Sequence, residues 1–502
     1  MPFAMEGGVT IRVLHVAAEL YPLLKTGGLA DVLGALPLAQ VELGADARVL
    51  LPGFPSVVDG LADLREVARL PAAFGVDDAS IQFGTLRDAD GGVAGLGVYV
   101  VRADRFYRRD GNPYVDEAHR PYDDNMLRFA LLGWSAAQLA GSADPAWSPA
   151  VVHAHDWHAA LAPAYVQAAH ETSGVRRLPS VVTVHNLAYQ GLFPAHEWSS
   201  LRLPDRYFGI DGLEFHGQVS FLKGGLYFAD RITTVSPSYA REIQTTSHGA
   251  GLDGLLRHRA RDLTGILNGV DYTVWNPRSD RSIVATYGPT RLHPKSKNKA
   301  ELQARLGLKA DSDALLFGVV SRLTEQKGFD LLLEAIPEIV SRGGQLAVLG
   351  TGDPALEAGM RRAVQAHPEA VGIHVGFDEA FAHLVIAGSD VVMVPSRFEP
   401  CGLTQLYALA YGSLPLVHRV GGLTDTVSDA SLENLADHAA TGFVFERFEH
   451  DALVAAIRRA FALRARRTDW RRAQQCAMQQ NFSWQSAAER YLALYQEIVP
   501  QS

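Results

Sequence analysis

Two short turns of this chain combine glycine with positive charge, a combination that binds anions. Lys25-Thr26-Gly27-Gly28 follows an apolar run and precedes a helical pattern, and residues 321–328 hold Arg322 and Lys327 in one strand-to-helix turn. Backbone N–H groups at a helix start and a nearby cation favour phosphate, and two cations at one strand end suit a diphosphate. Each turn alone is also compatible with a structural role, as a tight turn or as solvated surface charge.

A carboxylate precedes a predicted helix in residues 395–405, Pro-Ser-Arg-Phe-Glu-Pro-Cys-Gly-Leu-Thr-Gln. We expect this helix to begin near Cys401, so that a sugar hydroxyl can bond to Glu399 while a phosphate meets the helix N-terminus. The alternative for Glu399 is a helix-end acid stabilised only by the helix dipole. Cys401 is either a thiol activated by the positive helix end or a small packed residue.

Histidine is concentrated in residues 151–158, Val-Val-His-Ala-His-Asp-Trp-His. His153 and His155 are two apart on a predicted strand and share a face, so with Asp156 and His158 they form a possible metal set. A polar wall that faces a sugar, with Trp157 as an apolar ledge, explains the segment better, because no further acid completes the ligand set.

Short β-branched runs alternate with helical patterns, which predicts an α/β fold with two doubly wound parallel sheets. The predicted strands are residues 11–17, 47–51, 97–101, 151–155, 181–184, 232–235, 315–320, 345–349, 372–375, 391–394 and 414–417. Ligands bind outside the carboxyl ends of such strands, so we expect the motifs to meet in a cleft shared by two facing domains. His185, at one strand end, is either a satisfied core histidine or a partner for a sugar hydroxyl.

Glycine and asparagine punctuate the pattern at residues 267–271, Leu-Asn-Gly-Val-Asp, which indicates the seam between the domains. We predict an N-terminal domain over residues 1–264 and a C-terminal domain over residues 265–482. A final amphipathic helix over residues 483–498 needs a partner that the pattern alone does not identify.

Composition excludes several classes of protein. The 502 residues are 47% hydrophobic and 20% charged, with a formal charge of −9 and two cysteines. Neither a membrane span nor a secretory signal is present in the pattern, so we expect a cytoplasmic protein with no membrane partner. The two cysteines argue against disulfides and thiolate zinc sites, and the negative charge argues against nucleic acid as a partner.

These motifs, in this order, resemble those of the bacterial glycogen synthases and plant starch synthases. The resemblance rests on residues 25–32, 153–158, 184–191, 267–271, 321–328 and the Glu399 segment, and it extends from about residue 13 to about residue 491. It implies a GT-B glycosyltransferase, two Rossmann-like doubly wound domains facing a deep interdomain cleft, which transfers glucose from ADP-glucose to the non-reducing 4-hydroxyl of an α-1,4-glucan such as glycogen. It also implies retention of configuration, and a C-terminal helix, here within residues 483–502, that returns to the N-terminal domain.

The resemblance assigns roles to individual residues. Arg322 and Lys327 would hold the diphosphate, Glu399 would bind glucose hydroxyls, and His185 would contact the transferred glucose. The substrate-binding positions it implies are Lys25, Gly27, Gly28, Asp31, Tyr114, Asp156, Asn268, Phe377, Cys401, Gly402, Leu403 and Thr404.

Two positions are informative by their residue type. Phe377 matches an aromatic position beside the nucleotide base where tyrosine is also found, so a hydroxyl contact is absent here. Tyr407 stands where related retaining transferases often carry a second glutamate, which argues against those relatives.

No motif residue is an evident nucleophile for a covalent route, so we expect same-face substitution, in which Arg322 and Lys327 stabilise the leaving diphosphate. We expect no cofactor and no metal, because side chains and backbone bind the diphosphate. Three other functions fit parts of the pattern: a sugar-nucleotide epimerase, a silent glucan-binding module and a metal-dependent hydrolase. Isomerised donor, a damaged site and loss of activity to a chelator, respectively, would identify them.

Overall fold

The computed structural model describes residues 10–87, 92–118 and 120–500. The absence of a secretory-signal pattern was predicted for residues 1–10, of which only Thr10 lies within these ranges. The chain divides into two compact units: unit 1 comprises Met1–Val235, Ala240–Gly269 and Trp484–Ser502, and unit 2 comprises Ser236–Tyr239 and Val270–Ser483. The domain boundary predicted after residue 264 falls inside a strand, Leu263–Gly265, that pairs within the sheet of unit 1. Unit 1 therefore continues to Gly269.

Unit 1 is built on a nine-stranded mixed sheet and a small three-stranded sheet. Their strands are β1 (Arg12–Val16), β2 (Asp46–Pro52), β3 (Leu61–Arg69), β4 (Ser80–Arg87), β5 (Val93–Arg102), β6 (Val151–His155), β7 (Ser180–Val184), β8 (Leu192–Pro194), β9 (Glu214–Phe215), β10 (Gln218–Ser220), β11 (Arg231–Thr234) and β12 (Leu263–Gly265). The large sheet has the order β12-β11-β7-β6-β1-β2-β5-β4-β3, and the small one has the order β8-β10-β9. Neighbours from β12 to β5 are parallel, whereas β4 is antiparallel to both β5 and β3. The central strands β6 and β7 are buried along their whole length, as expected of parallel strands with both faces covered.

Helices connect the strands of unit 1. They are Gly28–Glu42, Pro55–Asp59, Asp104–Tyr107, Asn125–Ala140, Asp156–Ala159, Leu161–Ser173, Phe221–Phe228, Asp253–His258 and Trp484–Ile498, with 3-10 helices at Ala195–Leu201 and Asp205–Tyr207. The helix Pro237–Glu242 crosses the division between the units.

The C-terminal helix, Trp484–Ile498, belongs to unit 1. Its Tyr495 is fully buried, and the Tyr495 hydroxyl lies 2.6 Å from Nδ1 of His153 on β6. The same hydroxyl accepts a hydrogen bond of 3.3 Å from Nε2 of Gln40 on the helix Gly28–Glu42. Glu497, nearer its end, pairs with Arg231 at 3.0 Å.

Unit 2 is built on a six-stranded, all-parallel sheet. Its strands are β13 (Leu316–Val320), β14 (Gln345–Gly350), β15 (Val371–Val375), β16 (Val391–Val394), β17 (Leu414–His418) and β18 (Phe443–Phe445), in the order β15-β14-β13-β16-β17-β18. Its helices are Lys295–Arg305, Phe329–Ser341, Pro354–Ala366, Glu379–Gly388, Thr404–Ala410, Gly421–Thr426, Leu432–Ala436, His450–Ala465 and Arg467–Gln479, with a 3-10 turn at Glu325–Lys327. Phe317, Leu332 and Ile336 lie in its apolar core.

The predicted α/β class is confirmed, and each predicted strand overlaps an observed one. The prediction missed β3 and β4, which turn one edge of the unit 1 sheet antiparallel. Strand β3 has the sequence LADLREVAR, with one β-branched residue and four charges, and its side chains are mostly not buried. Strands β12 and β18 were also missed, because each has three residues and is too short for a periodic pattern. Among the described residues, no helix has the length and apolarity needed to cross a membrane.

Candidate active site

The candidate residues of unit 1 follow the carboxyl ends of its parallel strands, as the fold predicts. The loop with Lys25, Gly27 and Gly28 comes after β1, Asp156 after β6, and His185 after β7. Asn268 follows β12 and is buried. Strands β7, β6 and β1 are consecutive neighbours in the sheet, so their loops start at one edge.

A buried carboxylate that sequence analysis missed organises the glycine-pair loop. Glu19 is 3% exposed and accepts hydrogen bonds from the backbone N–H of Thr26 at 2.6 Å and of Gly27 at 3.3 Å. It also accepts from the Thr26 hydroxyl at 2.5 Å and from the Tyr114 hydroxyl. Two backbone N–H groups of the turn that was expected to bind an anion are thus bonded to the Glu19 carboxylate. A lone acid in an otherwise apolar stretch was the available signal.

The helix start beside this loop remains open. The helix begins at Gly28, and Gly27 at the N-cap provides no side-chain cap, so the first N–H groups lack an intrahelical acceptor. A Cβ placed on Gly27 or Gly28 meets no heavy atom within 4 Å. Lys25 is 2.8 Å from the carboxylate of Asp31, and both side chains are partly exposed. Within the described part of the chain, open space, helix-start N–H groups without an intrahelical acceptor and the Lys25–Asp31 ion pair therefore lie together.

Asp156 joins the ends of β6 and β7. Its Oδ1 accepts hydrogen bonds from the N–H of His185 at 2.8 Å and of Asn186 at 3.3 Å. Its φ of 56° lies in the left-handed region, which costs a non-glycine residue about 1–2 kcal/mol. Burial raises the pKa of the Asp156 carboxyl to about 7, and the charge of Glu19 acts in the same direction. Near neutral pH both protonation forms of Asp156 are therefore populated.

Tyr114 and Trp157 pack in an aromatic cluster around His158. The Tyr114 ring stacks on His158 with centroids 4.7 Å apart, and the Trp157 ring lies 4.1 Å from His158 and 4.9 Å from Phe129. Trp157, predicted as a ledge, is thus part of a packed wall. Burial raises the pKa of Tyr114 well above 10, so this hydroxyl remains a donor to Glu19. Among the described residues, the buried Nδ1 of His158 has no hydrogen-bond partner.

The histidines form a different cluster from the predicted metal set. In the part of the chain that the structure describes, His15, His153 and His155 place ligand atoms within 4.8 Å of one another, and neither Asp156 nor His158 belongs to the group. Every ring nitrogen of these three histidines has a hydrogen-bond partner in the protein. The pairs are His15 Nδ1 with His155 Nε2 at 2.9 Å, His15 Nε2 with Gln40 Oε1 at 2.8 Å, His153 Nδ1 with Tyr495 at 2.6 Å, His153 Nε2 with Thr183 at 2.6 Å, and His155 Nδ1 with His185 Nε2 at 3.0 Å. The cluster is a hydrogen-bond network.

In unit 2 the candidate residues lie in the loops after β13, β15 and β16. Lys327, in the 3-10 turn after β13, has its Nζ 2.5 Å from Oε2 of Glu399. Glu399 is 6% exposed and also accepts a hydrogen bond of 2.9 Å from the Ser396 hydroxyl. Arg322 is exposed, and no ion-pair partner for it lies among the described residues. One cation is thus neutralised internally and the other faces solvent.

A glycine allows the loop that carries Lys327 to pack against the loop that carries Glu399. Gly328 has a φ of 74°, and a Cβ there would lie 2.1 Å from the carbonyl oxygen of Pro395. The N–H of Arg397 donates to the carbonyl of Gln326 at 2.8 Å, which joins the same two loops. The Lys327–Glu399 pair is therefore held by the backbone on both sides.

A second glycine pair, Gly421-Gly422 after β17, supports the Glu399 segment and was missed from sequence. A Cβ on Gly421 would lie 2.0 Å from the carbonyl oxygen of Glu399. The N–H of Gly422 donates to the carbonyls of Glu399 and Pro400, at 3.1 Å each. The signal was the one used for Gly27-Gly28, a glycine pair soon after a predicted strand.

The helix predicted near Cys401 begins at Thr404, with Leu403 at its N-cap. Gly402 has a φ of 73°, and the Gln405 side chain donates to the carbonyls of Cys401 and Gly402 at 3.0 and 2.8 Å. These contacts hold residues 401–403 as a turn. Cys401 is 4% exposed, which favours its interpretation as a small packed residue.

The two informative aromatic positions differ sharply in exposure. Phe377, just beyond β15, is 78% exposed. Tyr407 stacks on Trp275 with centroids 3.8 Å apart, and the other face of Trp275 stacks on His383 at 3.7 Å. Tyr407 therefore has a packing role at a position where related transferases carry a carboxylate.

Comparison with known proteins gives matches over both units. Residues 12–258 match the family described as starch synthase catalytic domain, and residues 301–475 match glycosyl transferases group 1. The chain is 57% identical over 492 residues to a glycogen synthase of Leptothrix cholodnii, covering 97% of this chain and 100% of that protein. It is 54% identical over 490 residues to a glycogen synthase of Francisella tularensis subsp. novicida, covering 97% and 99%.

Among solved structures, the catalytic domain of starch synthase IV from Arabidopsis thaliana, bound to ADP and acarbose, matches with a TM-score of 0.87 and 31% identity. The match covers 98% of this chain and 100% of that chain. A sucrose-phosphate synthase from Thermosynechococcus elongatus matches with a TM-score of 0.55 and 16% identity over 97% and 99% of the two chains, which shows a shared fold.

Proposed function

Because this chain belongs to the glycogen and starch synthase family of GT-B glycosyltransferases, we propose that it transfers glucose from ADP-glucose to the non-reducing 4-hydroxyl of an α-1,4-glucan. We propose further that configuration is retained and that no metal takes part. The observation that carries the proposal is in unit 2, where the exposed Arg322 lies in the same loop as Lys327, and Lys327 pairs with Glu399 of the loop after β16. A cytoplasmic location is part of the same proposal.

The choice of donor is supported by a relative. Starch synthase IV, similar to this chain over nearly its whole length, was solved with ADP. The exposed ring of Phe377 beyond β15 offers an aromatic face on which a nucleotide base can stack. We assign this contact to the adenine of ADP-glucose.

The diphosphate is assigned to Arg322 and Lys327. The planar guanidinium of Arg322 can bond two phosphate oxygens, and Lys327 adds a compact charge. Lys327 pairs with Glu399, so a bound diphosphate would share that ammonium. Oε2 of Glu399 holds Lys327 and Ser396, which leaves Oε1 for a glucose hydroxyl.

The assigned roles in unit 1 follow the open helix start and the strand ends. Lys25 and the N–H groups from Gly28 onward are assigned to the donor phosphates. His185 is assigned to the transferred glucose. The remaining assigned positions are Gly27, Asp31, Tyr114, Asp156 and Asn268 in unit 1, and Cys401, Gly402, Leu403 and Thr404 in unit 2.

The proposed reaction is a substitution on one face of glucose. The bond between the anomeric carbon and the phosphate oxygen lengthens toward an oxocarbenium-like state, and the electron pair goes to the leaving ADP. Arg322 and Lys327 stabilise that growing charge, and the leaving phosphate accepts the proton of the incoming 4-hydroxyl. The new bond forms on the face that ADP leaves, which retains configuration.

The test is direct. Purified protein with glycogen is offered labelled ADP-glucose, UDP-glucose and GDP-glucose in turn, with and without EDTA. We expect label in α-1,4-linked glucan from ADP-glucose at an unchanged rate in EDTA. Label from UDP-glucose alone would overturn the donor assignment, and loss of activity to EDTA would overturn metal independence. Isomerised sugar without acceptor would instead indicate an epimerase.

A further inference from the structure

A chain of three imidazoles leads from the first helix of unit 1 to His185. We propose that Gln40, His15 and His155 are positioning residues that keep the proton of His185 on Nε2, so that Nδ1 is a hydrogen-bond acceptor for a sugar hydroxyl. The contact with sugar rests on the proposed function, whereas the position of the proton does not.

The chain is continuous. Oε1 of Gln40 lies 2.8 Å from Nε2 of His15, Nδ1 of His15 lies 2.9 Å from Nε2 of His155, and Nδ1 of His155 lies 3.0 Å from Nε2 of His185. Gln40, His15 and His155 are each 0% exposed. Water therefore does not compete for the inner bonds.

Each imidazole in the chain is neutral at physiological pH. Burial lowers the pKa of His15 to about 4 and that of His185 to about 3, and it lowers the pKa of His155 well below 6.5. A neutral imidazole has one N–H donor and one acceptor nitrogen. Each bond in the chain therefore sets the direction of the next.

The direction is set at Gln40. Its Oε1 only accepts, so Nε2 of His15 carries a proton and donates, and Nδ1 of His15 accepts from Nε2–H of His155. Nδ1 of His155 then accepts from Nε2–H of His185, which leaves Nδ1 of His185 without a proton.

Tyr495 of the C-terminal helix orients the Gln40 amide. Nε2 of Gln40 donates to the Tyr495 hydroxyl at 3.3 Å, which turns Oε1 toward His15. The Tyr495 hydroxyl is free to donate in turn to Nδ1 of His153, 2.6 Å away. The last helix of the chain thus helps to decide which nitrogen of His185 accepts.

The position of the proton decides whether Nδ1 of His185 accepts a hydrogen bond from a ligand or donates one to it. An acceptor nitrogen bonds a hydroxyl, which donates, and does not bond fluorine, which lacks a proton. If His185 presented N–H instead, fluorine and hydroxyl would differ much less there. Replacing one glucose hydroxyl by fluorine therefore measures the polarity of this nitrogen.

The first experiment needs no activity. The full chain is labelled with ¹⁵N-histidine, and the His185 signals are assigned by their loss in His185→Gln. We expect Nε2 of His185 in the protonated range of ¹⁵N shifts and Nδ1 in the unprotonated range, both constant from pH 6 to 8. A protonated Nδ1 would overturn the proposal.

Variants then test the positioning role. Gln40→Met removes the acceptor at the head of the chain, and Gln40→Glu is the matched control that keeps an acceptor. We expect mixed His185 tautomers in Gln40→Met and one tautomer in Gln40→Glu. Tyr495→Phe, which frees the amide to turn, is the second variant if Gln40→Met does not fold. A single unchanged tautomer in the folded variant would overturn the role of Gln40.

The kinetic readout uses ADP-glucose analogues with one glucose hydroxyl at a time replaced by fluorine. At one position we expect a fall in kcat/KM in the natural chain, a penalty that shrinks about tenfold in Gln40→Met and persists in Gln40→Glu. Equal penalties at every position in all three proteins would overturn the contact. If no nucleotide glucose is used at all, the proposed function fails while the ¹⁵N spectrum still decides the tautomer.

Discussion

The strand-end loops of units 1 and 2 balance charge in opposite ways. In unit 1, buried neutral imidazoles and a carboxyl with a pKa of about 7 are held by directional hydrogen bonds. In unit 2, full charges on Lys327, Glu399 and Arg322 stand on loops that glycine lets pack backbone to backbone. In unit 1 the structure determines which nitrogen or oxygen of each group carries the proton. In unit 2 it determines where full charges stand. Substitutions should therefore affect the two regions by different mechanisms.

Gly328→Ala should have the largest effect, because it disrupts the close backbone contact between Gly328 and Pro395 in unit 2. A methyl group there would lie 2.1 Å from the Pro395 carbonyl oxygen at a φ of 74°. We expect a loss of about 4 kcal/mol in the free energy of unfolding, measured by urea denaturation. Gly174→Ala, with a φ of 65° and nothing within 4 Å, is the control and should show only the smaller conformational part. Equal losses in both would show that the loops do not need their close contact.

Lys327→Ala should lower kcat by about 10²-fold or more, since it removes charge that stabilises the leaving diphosphate. Steady-state kinetics with ADP-glucose and glycogen measure this. Lys297→Ala removes an exposed lysine from the helix Lys295–Arg305 and should leave kcat unchanged. Normal turnover in Lys327→Ala would contradict the proposal that the charge of Lys327 stabilises the leaving diphosphate.

Asp156→Asn should change how the stability of the protein depends on pH, which tests the titrating carboxyl of unit 1. The folded pKa of Asp156 is raised to about 7 from an ordinary 3.8, so its favourable contribution is complete below pH 4 and is lost as pH rises through 7. Asparagine does not titrate. We expect the stability of Asp156→Asn relative to the natural chain to rise by about 2 kcal/mol between pH 5 and pH 8. Urea midpoints at the two pH values measure this, and a difference that does not change with pH would contradict the shifted carboxyl.

Gly27→Ala should have the smallest effect, confined to ligand binding. Gly27 has an extended φ of −160°, and a Cβ there meets nothing within 4 Å, so stability should not change. The added methyl occupies the space beside the open helix start, and we expect KM for ADP-glucose to rise about tenfold through one weakened anion contact. Gly254→Ala, also without neighbours within 4 Å, is the control. An unchanged KM would show that no ligand group enters this space.

The sequence predicts those parts of the fold and site that depend on local pattern. Buried strands such as β6 and β7 and the cation turn with Arg322 and Lys327 are continuous in sequence. The parts it does not predict depend on contacts distant along the chain. Glu19 reaches Tyr114, 95 residues away, and His153 reaches Tyr495, 342 residues away.

The helix start near Cys401 was misplaced for a similar reason. The residues that lead into the turn at 401–403 are held by Gly422, whose N–H bonds to the carbonyls of Glu399 and Pro400 and whose Cβ position lies 2.2 Å from the Cys401 carbonyl oxygen. Local propensity carries no information about such a partner. Charge-poor buried strands and short motifs are therefore the reliable part of a sequence-based prediction, and polar networks are the part that needs coordinates.

The anchoring of Gln40 and His153 by Tyr495 has a consequence for biosynthesis. A ribosome makes the β1 to β12 region before residue 495, so until that residue is made these buried amide and imidazole groups lack their hydroxyl partner. An unsatisfied buried polar group costs about 1–3 kcal/mol, so the nascent sheet should stay loosely packed until the helix Trp484–Ile498 emerges. Synthesis order thus makes this helix the element that completes a buried network begun hundreds of residues earlier.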